Sequence, residues 1–170
     1  MVCYNDFTAN SPKNTLMEDK IMENKKEMSA VLADFCELFK ERNVPFETNE
    51  NDPNMIRFRT KLPNHDSTPL VFIHYNTSNR ALSLALSQMV RFDDPSIEVY
   101  KAVNEFNSDA ESFGCKAFLD INSEFIVLVN AIISGEDGRS QIEDYLNISI
   151  LAINKHYGKI IEKIDNNENN

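Results

Sequence analysis

The chain has 170 residues, the length of a single domain that can bury a core without disulfide bonds. Acidic residues outnumber basic residues by 27 to 17, and the net charge of −10 repels phosphate backbones, which argues against a nucleic-acid partner. No apolar run approaches the roughly 20 residues of a membrane-spanning helix, and the N-terminal sequence lacks the pattern of a signal peptide. We therefore expect a cytoplasmic protein with no membrane partner.

The chain is predicted to form one domain, residues 15–164, between a flexible N-terminal tail, residues 1–14, and a disordered C-terminal tail, residues 165–170. Thr15 and Glu18 have the spacing of a capping box, in which each side chain bonds a backbone amide of the other's turn. From there a first helix is predicted to run to about Arg42. Its second half carries an apolar stripe with helical spacing: Met28, Val31, Leu32, Phe35, Leu38 and Phe39.

Three strand regions are predicted next. Residues 45–62 are interrupted by a turn signal at 51–53, so they form either one broken edge strand or a tight hairpin. Residues 70–77 are apolar at successive positions, which is typical of a central strand. In residues 80–92, Leu82, Leu84 and Leu86 alternate with alanine and serine, so one face is large and buried and the other is small and flat.

A helix, two strands and a last helix are predicted to follow. Asp94 and Pro95 begin a helix that runs to about Ser112. Strands at 115–121 and 124–133 are joined through a tight turn at 122–123. The last helix begins at a second capping box, 140–143, and runs to about Ile164. The order α-β-β-β-α-β-β-α predicts an α+β fold, an antiparallel sheet with flanking helices.

One segment of this order carries a family resemblance. Residues 104–107 read Asn-Glu-Phe-Asn, residues 118–122 read Phe-Leu-Asp-Ile-Asn, and an apolar strand at 125–129 and a long helix come next. This pattern resembles the YbjN family of bacterial sensory transduction regulators, whose fold is similar to that of the class I, CesT-like, type III secretion chaperones. The likeness covers residues 28–164. The chain departs from the family pattern at Ser123, where glycine is usual, and at Phe106, where tryptophan is common.

The resemblance implies a small acidic homodimer without catalytic residues, with a protein client as its partner. The residues that we expect to bind a partner or the dimer mate are Asn104, Phe106, Asn107, Phe125, Val127 and Val129. Two alternatives stay open for them. The asparagines could instead satisfy local backbone groups at the helix end, and the apolar run at 125–129 could be a central strand buried inside the monomer.

A basic stripe is predicted on one strand face, formed by Arg57, Arg59 and Lys61. It could hold an acidic peptide or a phosphate. It could equally be the charged, solvated face of an edge strand, where charges prevent aggregation.

The sequence offers little for catalysis, for metal binding or for a cofactor. Cys115 would need His74 or His156 as a base within hydrogen-bond reach, and it lies among apolar neighbours, where a thiol is usually inert. No metal-ligand spacing and no glycine-rich phosphate loop is present in the sequence. We expect no catalytic residue, no metal and no cofactor.

These observations favour a non-enzymatic, protein-binding adaptor or chaperone-like regulator that acts as a homodimer. Two alternatives remain: a small ligand-binding domain or enzyme with an unrecognised pocket, and a dedicated inhibitor of a basic partner protein, for which an acidic surface would be suited. The client and its pathway are not specified by the sequence.

Overall fold

The computed structural model describes residues 27–134 and 137–165. These residues fold into three α-helices and one six-stranded antiparallel sheet, which confirms the predicted α+β class. The helices are α1 (Ala30–Glu41), α2 (Ile97–Ser108) and α3 (Gly138–Asp165). The strands are β1 (Phe46–Thr48), β2 (Met55–Arg59), β3 (Leu70–Asn76), β4 (Ala81–Ser87), β5 (Lys116–Leu119) and β6 (Phe125–Ile132). The predicted tails lie outside the described residues, apart from Asp165 at the end of α3.

The strands lie in the order β1-β2-β3-β4-β6-β5, and every neighbouring pair is antiparallel. The first four strands follow one another in a meander. After β4 the chain crosses through α2 to the far edge, forms β5 there, and returns as β6 between β5 and β4. This crossover makes β6 an interior strand, although it is the last strand in the sequence.

All three helices pack on one face of the sheet. The strand residues that face them alternate with residues of the opposite face, as the pleat requires. One core cluster joins the helices to the buried strand residues, which include Ile73 of β3, Leu84 of β4 and Val127 of β6, all fully buried. Phe39 of α1 contacts Phe58 of β2 edge to face, with ring centroids 4.5 Å apart. The predicted burial of the large residues of β4 is confirmed.

The first helix begins later than predicted. Residues 27–29 are not helical, and Ser29 is the N-cap, whose side chain accepts a hydrogen bond from the Leu32 amide. The Ser29 amide donates to the side chain of Asn54 at 2.7 Å, so the start of the helix is held to the β1–β2 hairpin. The prediction of one helix from Thr15 to Arg42 was therefore wrong at residues 27–29, and the proposed capping box lies outside the described residues.

The region 45–62 forms the tight hairpin, one of the two predicted alternatives. β1 and β2 pair in the register Glu47 to Arg57. Four strands therefore precede α2, and the element order is α-β-β-β-β-α-β-β-α. The hairpin forms because Asp52 and Asn54 stabilise the turn: the Asn54 amide donates to the Asp52 carboxylate at 3.1 Å.

The ends of α2 and the turn before β6 also differ from expectation. α2 begins after Ser96 and ends at Ser108, and a short 3-10 helix (Ala110–Ser112) follows it. The β5–β6 loop is longer than two residues, and the positive φ of 59° falls on Ser123. Asp120 accepts hydrogen bonds from the amides of Asn122 and Glu124 inside this loop, each at 2.8 Å. The Asp120 amide also donates to the Glu124 carbonyl at 3.0 Å, so these two residues pair and three, 121–123, remain in the loop. A three-residue loop of this kind places its left-handed residue last.

Two glycines of α3 differ in the space around them. A Cβ at Gly158 would lie 3.8 Å from the ring of His65, an ordinary contact, whereas a Cβ at Gly138 would lie 2.7 Å from Cγ1 of Val31 in α1. Gly158→Ala should therefore stabilise the protein by up to about 1 kcal/mol, because alanine favours helix more than glycine does.

Gly138→Ala is the matched comparison. It should destabilise the protein by about 1–3 kcal/mol, because the added methyl group forces α1 and α3 apart. Chemical denaturation of both variants measures the two effects. A loss of stability in Gly158→Ala, or none in Gly138→Ala, would contradict the packing described here.

Candidate protein-interaction surface

The sheet face turned away from the helices is here called the open face. It carries Glu47 of β1; Met55, Arg57 and Arg59 of β2; Leu70, Phe72 and His74 of β3; Ala81, Ser83, Ala85 and Ser87 of β4; Ile126, Leu128, Asn130 and Ile132 of β6; and Lys116 and Phe118 of β5. No helix within residues 27–134 and 137–165 packs on this face.

The centre of the open face is apolar and shaped by β4. In the strand register, Phe72 of β3 lies opposite Ala85 of β4, and Ala85 lies opposite Leu128 of β6. A large side chain, a small one and a large one therefore stand side by side across three strands. The small residues of β4 form the floor of a shallow trough, and the half-buried Phe72 and Leu128 form its walls. A partner backbone can approach closely along such a floor.

The apolar part of the open face continues toward β5. Phe118 exposes 41% of its surface and lies opposite Ile126 in the register. Ile132, at the end of β6, exposes 62%. Asn130, which accepts a hydrogen bond from Ser83 at 2.8 Å, separates Ile132 from Leu128. The contiguous apolar part of the face therefore comprises Phe72, Leu128, Ile126 and Phe118, and a contiguous exposed apolar patch is a recognised mark of an interaction surface.

A second apolar patch lies on the outer side of α2. Ile97 exposes 68% and Tyr100 exposes 46% of their surfaces. Asn104 is also exposed, and its position one turn beyond Tyr100 places it on the same side of the helix. This patch, Ile97, Tyr100 and Asn104, is here called the α2 patch.

The predicted partner-binding residues occupy different positions. Phe106, Phe125, Val127 and Val129 are buried against the helices, and Asn107 is half-buried. Of the six residues, Asn104 alone is exposed. For the run 125–129, burial inside the monomer was one of the two alternatives left open. It holds for the odd-numbered residues, whereas Ile126 and Leu128 lie on the open face. Contact of the six with a partner stays a prediction.

Asn107 closes the outer edge of the sheet. Its side-chain amide donates to the carbonyl of Ala117 in β5 at 2.8 Å, and its side-chain oxygen accepts from the Ala117 amide at 2.7 Å. The side chain thus replaces the peptide group of a further strand. Lys116 donates from Nζ to the Asn107 carbonyl at 3.2 Å. This arrangement protects β5 from pairing with another chain.

The predicted basic stripe lies at the opposite side of the sheet. Arg57 donates from Nε to Glu47 at 2.7 Å. Arg59 donates to the carbonyl of Thr68 at 3.0 Å and to the side chain of Gln88. Lys61 lies beyond β2 and is exposed. Both arginines therefore lie on the open face, one with a carboxylate partner and one with neutral partners.

Two shallow hollows flank these arginines. One, of about 370 Å³, is lined by Glu47 and Thr48 of β1, by residues 49–51 of the loop that follows, and by Met55, Ile56, Arg57 and Phe72. The other, of about 450 Å³, is lined by residues 45–47, Arg57, Arg59, Leu70 and Gln88 among others. The first hollow has one guanidinium group beside two carboxylates, Glu47 and Glu50, whereas the second has two guanidinium groups beside Glu47 alone. The second is therefore better suited to a segment with both acidic and apolar groups.

The thiols of Cys36 and Cys115 are buried, and the described histidines have contact partners of their own. Burial raises the pKa of the Cys115 thiol, and burial raises the pKa of the Cys36 thiol to about 11, so neither forms a thiolate near neutral pH. Cys115 contacts the hydroxyl of Ser149 at 3.9 Å. His74 lies 3.1 Å from Asp52 at the margin of the open face. These partners do not form the cysteine–histidine pair that nucleophilic catalysis requires.

Asp109 is the centre of a polar cluster that ties α3 to the end of α2. Its carboxylate accepts from Lys155 Nζ at 2.8 Å and from the Glu111 amide at 2.8 Å, and it lies 3.0 Å from Nε2 of the buried His156. The hydrogen bonds from the Lys155 ammonium and from the Glu111 amide hold the pKa of Asp109 at about 2, below its usual range. Sequence reasoning missed this cluster because its members are more than 40 residues apart.

The Asp109 cluster predicts a pH dependence. Because the pKa of Asp109 is lower in the folded chain than in the unfolded chain, its carboxylate stabilises the fold above about pH 4, and this contribution is lost as the pH falls through about 2. Asp109→Asn should flatten the dependence of unfolding free energy on pH in this window. Lys155→Met, which leaves the carboxylate in place, should move the loss to higher pH. An Asp109→Asn curve parallel to that of the wild type would contradict this assignment.

Two further findings concern the residues that the structure describes. They contain no group of three or more His, Cys, Asp or Glu side chains that could hold a metal ion. None of their helices combines the length and the hydropathy needed to cross a membrane.

Comparison with known proteins gives one structural likeness. No family model and no curated protein matches the chain. A chain of the heterodimeric complex ExoU–SpcU from the type III secretion system of Pseudomonas aeruginosa is similar in structure, with 12% identity, a TM-score of 0.43, and coverage of 64% of this chain and 82% of that chain. A likeness of this extent assigns neither a family nor a function, and the YbjN resemblance stays a prediction.

Proposed function

We propose that the protein binds other polypeptides through the open face, as a non-enzymatic adaptor or chaperone-like regulator that acts as a homodimer in the cytoplasm. The observation that carries this proposal is the apolar centre of the open face, where Phe72 and Leu128 flank the small floor of β4. The opposite face already supplies a complete core under three helices. The apolar residues of the open face are therefore available to a partner, and burying them would release water at a gain of about 25 cal/mol per Å².

The homodimer is assigned to the α2 patch. Ile97 and Tyr100 are more exposed than most apolar residues of the chain, and they lie on a helix whose other side is fixed to the sheet by Val99, Val103 and Phe106. A rigid helix with an exposed apolar side suits an interface between two copies, because the same patch can pack against itself across a twofold axis. Asn104, one of the predicted dimer residues, would lie within this interface.

A binding role also agrees with the state of the reactive groups. The described cysteines are buried, with raised thiol pKa values, and the described histidines contact carboxylates, a backbone carbonyl or aromatic rings. Membership of the YbjN family belongs to the proposal as well. It rests on the motif at 104–107 and 118–122 and on the element order, and it implies a protein client.

The experiment uses the full chain with a displayed library of random 16-residue peptides. The wild type should enrich peptides from the library, and Leu128→Asp, which places a charge in the trough, should not. Leu151→Asp is the matched control, because Leu151 is 61% exposed on α3, away from the sheet face; it should enrich the same peptides as the wild type. Equal enrichment by Leu128→Asp and by the wild type would overturn the open face as the binding surface.

Light scattering tests the homodimer separately. The wild type should have the mass of a dimer, Tyr100→Asp should have the mass of a monomer, and Leu128→Asp should remain a dimer. A wild-type monomer at concentrations near 100 μM would overturn the homodimer, since an interface of standard size gives tighter association.

A further inference from the structure

The open face differs in charge from the rest of the molecule. The whole chain carries a net charge of −10. On the open face, however, the strands carry three cations, Arg57, Arg59 and Lys116, and one carboxylate, Glu47. The difference, three minus one, leaves that face with a net charge of +2 from its strand residues. Two loop carboxylates adjoin this face: Glu50 lines the hollow beside Arg57, and Asp52 contacts His74. Arg57 is paired with Glu47, so the cations of the face without a carboxylate partner among the described residues are Arg59 and Lys116. Their charge selects partners alongside apolar contact.

The basic groups are concentrated beside the large apolar residues of β3. In the strand register Arg57 lies opposite Phe72, and Arg59 lies opposite Leu70. The hollow of about 450 Å³ lies between Arg57, Arg59 and Leu70 on one side and β1 on the other. A segment that covers Leu70 and Phe72 would therefore bring its own side chains within reach of both guanidinium groups.

Arg59 is the cation best placed to receive a carboxylate. Its guanidinium is held by the Thr68 carbonyl and the Gln88 side chain, both neutral. No carboxylate in the described part of the chain forms an ion pair with it, whereas Arg57 already pairs with Glu47. A planar guanidinium that is positioned by neutral acceptors can form a two-point contact with a carboxylate at little further ordering cost.

We propose that the occupant of the open face is an acidic, apolar segment of a partner protein, with a carboxylate on Arg59 and its apolar side chains in the trough of β4. This inference rests on the proposed function and adds the chemistry of the partner. Two other occupants fit the charges less well. A second copy that pairs through the same face would bring cations against cations, and residues 1–26 contain four acidic and four basic residues and offer no charge complement.

Selection from the same peptide library tests the partner's chemistry. Peptides enriched by the wild type should contain at least twice the library's proportion of Asp and Glu. Arg59→Glu should remove this excess and should weaken a wild-type-selected peptide by about tenfold or more. Lys159→Glu, the same charge change at an exposed site on α3, should keep the excess.

The outcomes separate this inference from the proposed function. If enrichment depends on Leu128 but shows no acidic excess, or if Arg59→Glu keeps the excess, this inference is overturned and the open face remains the binding surface. If Leu128→Asp enriches the same peptides as the wild type, the proposed function fails as well.

Cross-linking tests the other occupants in the full chain. A photo-reactive phenylalanine in place of Phe72 should cross-link to a selected acidic peptide. Cross-links to residues 1–26, or to Phe72 and its neighbours in a second copy, that persist in the presence of saturating peptide would overturn the proposal.

Discussion

Phe125→Ala should lower the free energy of unfolding by about 3–5 kcal/mol, the largest effect of any single substitution considered for this protein. Phe125 is fully buried at the start of β6, and its ring meets that of Phe106 in α2 edge to face at a centroid distance of 6.3 Å. Because β6 lies between β4 and β5, the cavity left by the ring would be closed on the sheet side and could not collapse easily. Chemical denaturation followed by circular dichroism measures the loss.

The neighbouring residue supplies the control. Ile126 lies on the open face and is half-buried, so Ile126→Ala should cost about 1 kcal/mol and should leave the fold intact. Its effect should appear instead in peptide binding. The two substitutions thus separate the two sides of one strand. Equal losses of stability, or a stable Phe125→Ala variant whose sole defect is in partner binding, would contradict the assignment of Phe125 to the core.

The same logic applies to Phe125 and Val127 as residues expected from the sequence to bind a partner or the dimer mate. Both side chains are fully buried within this chain. We now expect their truncation to act on assembly through loss of fold stability. Variants of Ile126 and Leu128 report on partner contact more directly.

Asn107→Ala should lower the free energy of unfolding by about 1–3 kcal/mol. The substitution leaves the amide and the carbonyl of Ala117 without their side-chain partner at the edge of the sheet. Hydrogen exchange should localise the change, because the Ala117 amide loses its acceptor while the amides of β4 keep theirs. The freed edge of β5 should also raise the tendency to aggregate.

Two further variants, Asn104→Ala and Asn107→Asp, complete this test. Asn104→Ala should change stability by no more than about 0.5 kcal/mol, because Asn104 is exposed; its effect should fall on the dimer. Asn107→Asp should be no better than Asn107→Ala, since a carboxylate can accept from the Ala117 amide but places a negative charge against the Ala117 carbonyl. If Asn107→Ala proved neutral, the hydrogen bonds to β5 would not be important for the sheet edge.

The apolar run of β6 predicted part of the structure of this strand. Five consecutive apolar residues at 125–129 correctly indicated that both sides of the strand are apolar. The pattern could not show which side the helices cover, because a run without polar residues contains no alternation. In the structure α3 covers the odd-numbered side of β6, and this shows that Ile126 and Leu128 lie on the open face.

The asparagine motif illustrates a second limit. Its spacing placed Asn104 and Asn107 on one helix side, and the sequence left open a partner role or a local role. The local role of Asn107 depends on β5, which forms ten residues later and lies at the sheet edge. No feature of residues 104–107 specifies that edge.

The sequence by itself determined the α+β class, the approximate positions of the helices and strands, and the small floor of β4. These follow from local periodicity, since residues that repeat every two or about 3.6 positions choose their element and its buried side without reference to distant parts of the chain. Only the tertiary structure decided the strand order, the open face, the edge contact of Asn107 and the Asp109–Lys155–His156 cluster. Each of these joins groups that are distant in sequence, and their contacts exist because the crossover through α2 inserts β6 between β4 and β5 and brings α3 back across the sheet.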